Sequence, residues 1–316
     1  MFEFARVAAW GPVRTFTAPL APIVAVVLAA AGAASGAYAQ QTYIALGDSV
    51  GFGITTGASY TQLSSGDRGY VAPVADWLAS RNGGVRPDVM NLSIFGDDTA
   101  SFFNTSEASR AINTNYDALF PPTSQASRFA LAVAQAAADG RPVTTVTISL
   151  GANDLLDVVK SPGFLALPPL QQGAMVIQAL SDAANNLAMV YASVRTALPM
   201  AEIIAVGYYD PFAALIGNPN PAFTSSAVQN LNAIIEGTAQ TVGARYVDNF
   251  SAFSGQEAVL TNIQTDPEPF NVHPTPAGYA VMANQIIPSP ATAAILAIGA
   301  VVVTRRRRVV LVEVGV

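Results

Sequence analysis

Short apolar runs alternate with longer stretches of helical periodicity between residues 42 and 285, which leaves few folds open to this chain. Five runs have the length and the apolar or β-branched composition of buried strands: 42–46, 89–94, 143–150, 203–206 and 244–247. Helical spacing of apolar residues predicts helices at 70–81, 127–138, 171–197, 227–241 and 277–285. Such alternation favours an α/β fold with three layers, an α/β/α sandwich around a mostly parallel sheet.

Two polar segments interrupt this pattern. Residues 100–126 and 212–224 are polar segments that also contain proline and asparagine. Polar connections of this kind usually run over the surface. We expect both segments to be loops above the strand ends.

The composition excludes several classes of protein. The chain has no cysteine and one histidine, which excludes a structural zinc site, an iron–sulfur cluster, a disulfide framework and a thiol nucleophile. Fifteen basic and 21 acidic residues give a net charge of -6, the wrong sign for a nucleic-acid binder. The 51% hydrophobic content and the mean hydropathy of +0.38 are high for a soluble domain, so some apolar residues are expected to lie outside its core.

The amino-terminal segment accounts for part of that excess. Arg6 and Arg14 precede an apolar run at 23–28, and Ala37-Tyr38-Ala39 has the small-residue pattern of a cleavage site. These are the parts of a secretory signal peptide. The strongly apolar part, 18–31, would be roughly 21 Å long as a helix, short of the roughly 30 Å hydrocarbon core. We predict that residues 1–39 form a cleaved signal peptide, with a transmembrane anchor as the alternative.

The carboxyl-terminal segment accounts for the rest. Pro288-Ser289-Pro290 opens an uncharged run that ends in four arginines, Arg305–Arg308. A proline motif, a short apolar helix and an arginine cluster resemble the PEP-CTERM sorting tail of bacterial surface proteins. The type pattern has Pro-Glu-Pro, and here eight residues follow the arginines. The resemblance implies that residues 288–316 address an exported, extracellular or cell-surface protein to sorting machinery at the membrane. A plain membrane anchor and a buried helix are the alternatives.

Polar residues follow the strands of the remaining domain, residues 40–287. Ser49 follows the first strand, Gly96 the second and Asn153 the third, while His273 lies beyond the fifth. The carboxyl ends of parallel strands share one edge of the sheet, where ligands bind. A serine, a glycine N–H, a side-chain amide and an imidazole are the groups that acyl transfer requires.

Four blocks at these positions together resemble the SGNH (GDSL-type) hydrolases, which are esterases and lipases. Each block is short, but they occur in the family's order: Gly47-Asp48-Ser49-Val50, Asn91–Gly96, Gly151-Ala152-Asn153-Asp154 and His273-Pro274-Thr275. The resemblance implies a flavodoxin-like fold that needs no metal or cofactor. It also implies a small-molecule, lipid or carbohydrate ester as substrate.

The resemblance assigns roles residue by residue. Ser49 matches the nucleophile and His273 the general base. The N–H groups of Ser49 and Gly96 and the amide of Asn153 match the oxyanion hole. We expect Asp48 and Asp154, which also belong to these blocks, to support loop hydrogen bonds.

One block departs from the family. Its usual Asp-x-x-His places an acid three residues before the histidine, but Phe270 stands there. That acid orients the imidazole and stabilises its charged form. Three explanations stay open: Asp266 or Glu268 reaches back through the loop, a backbone carbonyl orients the ring, or the activity is low. Asn271 is a further neighbour, and Asp248 after the fifth strand is a weaker candidate.

Two other interpretations compete with the prediction that the chain is a serine esterase of this kind. Gly47 to Gly51 also fits the G-x-S-x-G elbow of α/β-hydrolases, but that fold needs several strands before its nucleophile. The missing acid at position 270 and the sorting-like tail motivate a different alternative. In that alternative the protein is an inactive or weakly active SGNH-fold module that binds at the cell surface or in a matrix.

Overall fold

A computed structural model describes residues 39–55, 68–104, 124–216, 218, 220–263 and 271–288. The predicted signal peptide and sorting tail lie outside the described residues, except for residues 39 and 288. Asp266, Glu268 and Phe270 also lie outside them. Within the described ranges, no helix is both long enough and apolar enough to cross a membrane.

The centre of the fold is a five-stranded sheet in which every pair of neighbouring strands is parallel. Its strands are β1 (Thr42–Gly47), β2 (Asp88–Asn91), β3 (Val143–Ser149), β4 (Glu202–Val206) and β5 (Arg245–Val247). Their order across the sheet is β2-β1-β3-β4-β5. This is the flavodoxin-like order of a doubly wound fold.

Helices cover both faces of this sheet. They are α1 (Ser49–Phe52), α2 (Val71–Arg81), α3 (Gln125–Ala138), α4 (Ala152–Lys160), α5 (Pro169–Ala197), α6 (Pro221–Thr241), α7 (Asn249–Phe253), α8 (Glu257–Leu260) and α9 (Pro276–Ile286). Helix α2 contacts α9, and α5 contacts α6. The chain steps from β1 to β2 in one direction and from β3 to β5 in the other, so right-handed crossovers place these two pairs on opposite faces. The predicted three-layer α/β architecture is confirmed.

The burial of the central strands explains why the sequence pattern predicts them. All six residues of β1 are buried, as are the last five of β3. A parallel strand covered on both faces is a near-continuous apolar run. The buried strands also carry polar side chains, and these are paired where they lie in the core: Tyr43 Oη, for example, is 2.9 Å from Thr147 Oγ1.

The predicted loops differ from the structure at their edges. Helix α6 begins at Pro221, inside the segment predicted as a loop, because proline fits the first turn and the side chain of Asn220 accepts the N–H of Phe223. In the other segment a 3-10 turn spans Ser101–Phe103 and α3 begins at Gln125, while residues 105–123 lie outside the described ranges.

The topology fixes where a ligand crevice forms. The connections that leave β1 and β3 run in opposite directions along the sheet, so their carboxyl ends form the switch point of the fold. The residues that follow these two strands are Asp48-Ser49 and Leu150–Asn153. Two of the four sequence blocks therefore meet at this crevice.

Candidate active site

Ser49 is the first residue of α1, directly after β1, and 8% of its surface is exposed. Asp48 caps this helix, and its carboxyl accepts the N–H of Val50 at 2.8 Å. The turn between strand and helix depends on Gly47, whose φ is +148°. A Cβ at Gly47 would lie 2.2 Å from the carbonyl oxygen of Ser149 on β3, so only glycine fits there.

The one histidine of the chain faces this serine. His273 lies in the loop between α8 and α9, and its Nε2 is 2.8 Å from Ser49 Oγ. Its Nδ1 is 2.7 Å from the amide oxygen of Asn271. The loop is anchored to α8 through the N–H of Asn262, which donates to the carbonyl of His273 at 2.9 Å. The structure therefore brings the predicted nucleophile and base into hydrogen-bond contact across the fold.

The group that orients the imidazole was left open by the sequence. Asp266 and Glu268 lie outside the described residues, so their predicted role stays a prediction. The described contact at Nδ1 comes from the side chain of Asn271, two residues before His273. Sequence reasoning named Asn271 only as a neighbour, because the family pattern directs attention to position 270.

The other two predicted oxyanion donors lie on adjacent loops. Gly96 follows β2 in a left-handed conformation with φ +79°, and the space where a Cβ would point is open. Asn153 is in the first turn of α4, and its Nδ2 donates to the carbonyl of Asp97 at 2.8 Å. This bond links the amide of Asn153 to the loop after β2 that contains Gly96 and Asp97, the glycine loop. The N–H of Ser49 has no partner within α1, since first-turn N–H groups lie ahead of any helical acceptor.

An aromatic side chain from the same loop packs beside the base. The ring of Phe95 lies 5.9 Å from the imidazole of His273 between centroids, with a tilt of 36°. Phe95 directly precedes Gly96. The ring that contacts the predicted base therefore belongs to the residue directly before Gly96, whose N–H is a predicted oxyanion donor.

A buried tyrosine holds Asp48, and the sequence analysis missed it. Tyr208 follows β4, and its Oη donates to the carboxyl of Asp48 at 2.7 Å. Tyr208 is itself fixed by Asn232 on α6, whose side-chain amide accepts its N–H and donates to its carbonyl, each at 2.7 Å. Burial raises the pKa of Asp48 to about 7, although the bond from Tyr208 acts against this rise. No sequence signal identifies Tyr208, because its partner is 160 residues away.

A buried glutamine joins the end of β1 to the glycine loop and was also missed. Gln125 is fully buried at the start of α3. Its Oε1 accepts the N–H of Gly47 at 2.6 Å, and its Nε2 donates to the Gly47 carbonyl at 2.9 Å and to Asp97 Oδ2 at 2.8 Å. The available signal, Ser124 as an N-cap, marks a helix start but not the role of the next side chain.

Two further acids at strand ends have structural partners. Asp154 accepts the N–H of Thr99 at 3.0 Å and its hydroxyl at 2.6 Å, which is a loop-supporting contact. Burial raises the pKa of Asp154 to about 6. Asp248 accepts the N–H of Ser251 at 3.0 Å and caps α7. Its described contact is therefore with a helix and not with the imidazole.

No group of three or more acidic or histidine side chains in the described part of the chain is arranged to hold a metal ion. The described contacts at the crevice are those of a serine, an imidazole, an amide and backbone N–H groups. These groups suit nucleophilic attack on a carbonyl and stabilisation of the resulting oxyanion.

Comparison with solved structures finds the same fold in several bacterial or metagenomic proteins. A lipase from a goat rumen metagenome, Lip_vut3, is 16% identical with a TM-score of 0.54, over 78% of this chain and 96% of that one. Phospholipase A1 from Streptomyces albidoflavus NA297 is 22% identical with a TM-score of 0.50, over 78% and 100%. A putative GDSL-like lipase from Parabacteroides merdae ATCC 43184 is 13% identical with a TM-score of 0.50, over 79% and 96%. At these identities the likeness shows a shared fold.

The sequence itself places the chain in a family. A search of curated proteins gives no match. The model of the GDSL-like lipase/acylhydrolase family matches residues 45–281, which include Ser49, Gly96, Asn153 and His273. With the fold and the four blocks in agreement, the chain belongs to the GDSL-like lipase/acylhydrolase family, a family of ester hydrolases.

Proposed function

We propose that this protein is a secreted or surface-sorted serine esterase that hydrolyses carboxylic esters through an acyl-enzyme. The observation that carries the proposal is the 2.8 Å contact between His273 Nε2 and Ser49 Oγ. A base within hydrogen-bond reach of a serine is the arrangement that activates the hydroxyl as a nucleophile. Membership of an ester-hydrolase family supports the reaction class.

In the first half of the reaction, His273 takes the proton of Ser49 as its Oγ attacks the ester carbonyl. The oxyanion that forms is held by the N–H groups of Ser49 and Gly96 and by the amide of Asn153. His273 then gives the proton to the leaving alcohol as the carbon–oxygen bond breaks. The acyl group remains on Ser49.

In the second half, His273 takes a proton from water, which attacks the acyl carbon. The tetrahedral intermediate forms in the same oxyanion hole. Its collapse breaks the bond to Ser49 Oγ, which recovers its proton from His273. The carboxylic acid leaves, and the chain's own side chains supply every proton transfer in this cycle.

Active-site labelling tests the proposal. The purified domain, residues 40–287, is incubated with a fluorophosphonate and, separately, with p-nitrophenyl acetate. We expect covalent labelling of Ser49 and release of p-nitrophenol, both abolished in Ser49→Ala. Ser80→Ala is the matched control, because Ser80 is an exposed serine on α2 and its variant should label and turn over like the wild type.

The same experiment separates the esterase from an inactive binding module with this fold. If the protein is an inactive binding module, the wild type should not be labelled. Ser49→Ala and Ser80→Ala should then show the same absence of labelling and turnover. Labelling that persists in Ser49→Ala would place the nucleophile elsewhere. Either result would overturn the proposal.

Export and sorting form a separate part of the proposal, supported by the sequence pattern at the two ends. Expression of the full chain in a Gram-negative host and sequencing of the mature amino terminus tests the first part, with cleavage expected after Ala39. Replacement of Arg305–Arg308 by glutamine tests the second, because loss of the basic cluster should change the membrane retention or processing of the tail. An intact amino terminus on a cytoplasmic product would contradict export.

A further inference from the structure

We infer that Asn271 is the positioning residue of His273, so that a neutral amide oxygen occupies the place where the family has a carboxylate. This inference rests on the proposed function, since it concerns the base of that reaction. Its geometric basis is the 2.7 Å contact between Asn271 Oδ1 and His273 Nδ1. The resulting catalytic arrangement is serine, histidine and asparagine.

The orientation of the amide is determined by its other end. Nδ2 of Asn271 donates to the carbonyl of Thr55 at 3.0 Å, which directs Oδ1 towards the imidazole. The same Oδ1 accepts the backbone N–H of His273 at 3.1 Å, two residues on, in the manner of an Asx turn. Asn271 is 8% exposed, so water has little access to these atoms.

The acceptor for Asn271 belongs to the segment that carries the nucleophile. Thr55 lies three residues beyond α1, and its carbonyl also accepts Nδ2 of Asn262 at 2.7 Å. Asn262 donates in turn to the carbonyl of His273. The loop with the base and the segment after Ser49 are therefore joined by two asparagines that share one carbonyl.

This arrangement selects the tautomer that the reaction needs. An amide oxygen only accepts, so the contact places the proton of neutral His273 on Nδ1. Nε2 then carries the lone pair and faces the hydroxyl of Ser49. A neutral acceptor stabilises the imidazolium less than a carboxylate does. The enzyme is thus expected to keep the correct geometry with a less basic histidine than an aspartate would give.

The inference is tested by two substitutions and the pH dependence of kcat/KM. Asn271→Ala removes the acceptor, and we expect kcat/KM to fall by about 10²-fold or more. Asn271→Asp restores an acceptor with a charge. We expect it to keep kcat/KM within about tenfold of the wild type while the acid limb of the profile moves up by about one pH unit.

Asn262→Ala is the matched control for loop disorder. It removes an asparagine from the same carbonyl but leaves the acceptor at Nδ1, so its pH profile should coincide with that of the wild type even where its rate is lower. Thermal melts of all three variants show whether each is folded. A rate loss in Asn271→Ala that matches the loss in Asn262→Ala, with no shift in Asn271→Asp, would show a structural role only and overturn the inference.

Two more outcomes decide between this inference and its competitors. An Asn271→Ala variant with unchanged rate and profile, combined with a large loss in Asp266→Asn or Glu268→Gln, would assign the role to an acid and overturn the inference alone. Fluorophosphonate labelling of Ser49 distinguishes this from failure of the esterase proposal. A wild type that neither labels nor turns over would overturn both.

Discussion

The phenol of Tyr208 donates a 2.7 Å hydrogen bond to the carboxyl of Asp48, the residue directly before the proposed nucleophile. Both side chains are buried, with 3% and 1% of their surface exposed. The contact joins the carboxyl ends of β1 and β4, since each residue comes at or just after the end of its strand. The backbone that presents Ser49 is therefore fixed from a strand two positions away in the sheet.

Replacement of Asp48 should alter how the stability of the fold depends on pH. Burial raises the pKa of Asp48 from 3.8 to about 7, so the unfolded chain loses this proton at lower pH than the folded protein. The stabilisation from this group is fully present below about pH 4 and is lost as the pH rises towards 7. We expect the melting temperature of Asp48→Asn to vary less with pH between these limits than that of the wild type. Circular dichroism melts at steps of half a pH unit measure this.

Asp182→Asn is the control for Asp48→Asn, because Asp182 is an exposed carboxyl on α5. Its melting temperature should follow that of the wild type across the same range. A curve for Asp48→Asn that runs parallel to the wild type at every pH would contradict the raised pKa. Near pH 7 the asparagine variant should be as stable as the wild type or more so, by several degrees.

Asn153→Ala should reduce the rate of the chemical step. One oxyanion donor contributes about 10²–10³ in kcat, and the amide of Asn153 is positioned by the carbonyl of Asp97 at the edge of the crevice. Because the oxyanion forms only in the transition state, kcat and kcat/KM should fall together while KM changes little. Steady-state kinetics with p-nitrophenyl acetate measures both.

Asn186→Ala provides the comparison for Asn153→Ala. Asn186 on α5 donates to Thr99 Oγ1 at 3.1 Å, so its loss also removes a hydrogen bond from a side-chain amide to the loop after β2. Its effect on kcat should stay within about threefold if loop support alone is affected. Equal losses in the two variants, or a loss below threefold in Asn153→Ala, would remove Asn153 from the oxyanion hole.

Gly96→Ala should separate backbone strain from function when it is compared with Gly84→Ala. Both glycines have positive φ, +79° and +87°, and both have open space where a Cβ would point. Each substitution should cost about 1–2 kcal/mol of stability, the strain of a left-handed alanine. Only Gly96→Ala should lower kcat, by about tenfold or more, because relaxation of the strained backbone would redirect the N–H that we propose for the oxyanion hole. Equal kcat in the two variants would refute the role of Gly96.

The sheet was predictable because its strands are buried on both faces. Apart from Thr42, residues 42–46 and 203–206 are apolar, and the structure has strands over both. Ser49 and His273 could be named because short motifs mark them. Their contact spans 224 residues, and no local pattern contains it.

The supporting side chains could not be predicted, for a physical reason. Tyr208 and Gln125 act through hydrogen bonds to partners that only the tertiary structure brings near. Asn271 is close to His273 in sequence, but its amide is oriented by the carbonyl of Thr55, 216 residues away. A buried tyrosine or glutamine has the same local sequence context as one on the surface. Helix α1 and helix α8 were missed as well, because four residues give no periodicity to detect.

Gln125→Ala should destabilise the whole site, and it is the sharpest test of how the glycine loop is held. The side chain satisfies both the N–H and the carbonyl side of Gly47 and donates to Asp97, all in the buried interior. Unpaired buried polar groups cost about 1–3 kcal/mol each, so we expect a loss of about 2–4 kcal/mol in unfolding free energy. Gln135→Ala is matched to it, because Gln135 lies on the same helix and bonds only the exposed Asp139 at 2.9 Å among its described contacts. That variant should change stability by less than about 0.5 kcal/mol. Urea unfolding of the two variants measures the difference, and equal midpoints would show that the Gln125 bonds do not hold the loop.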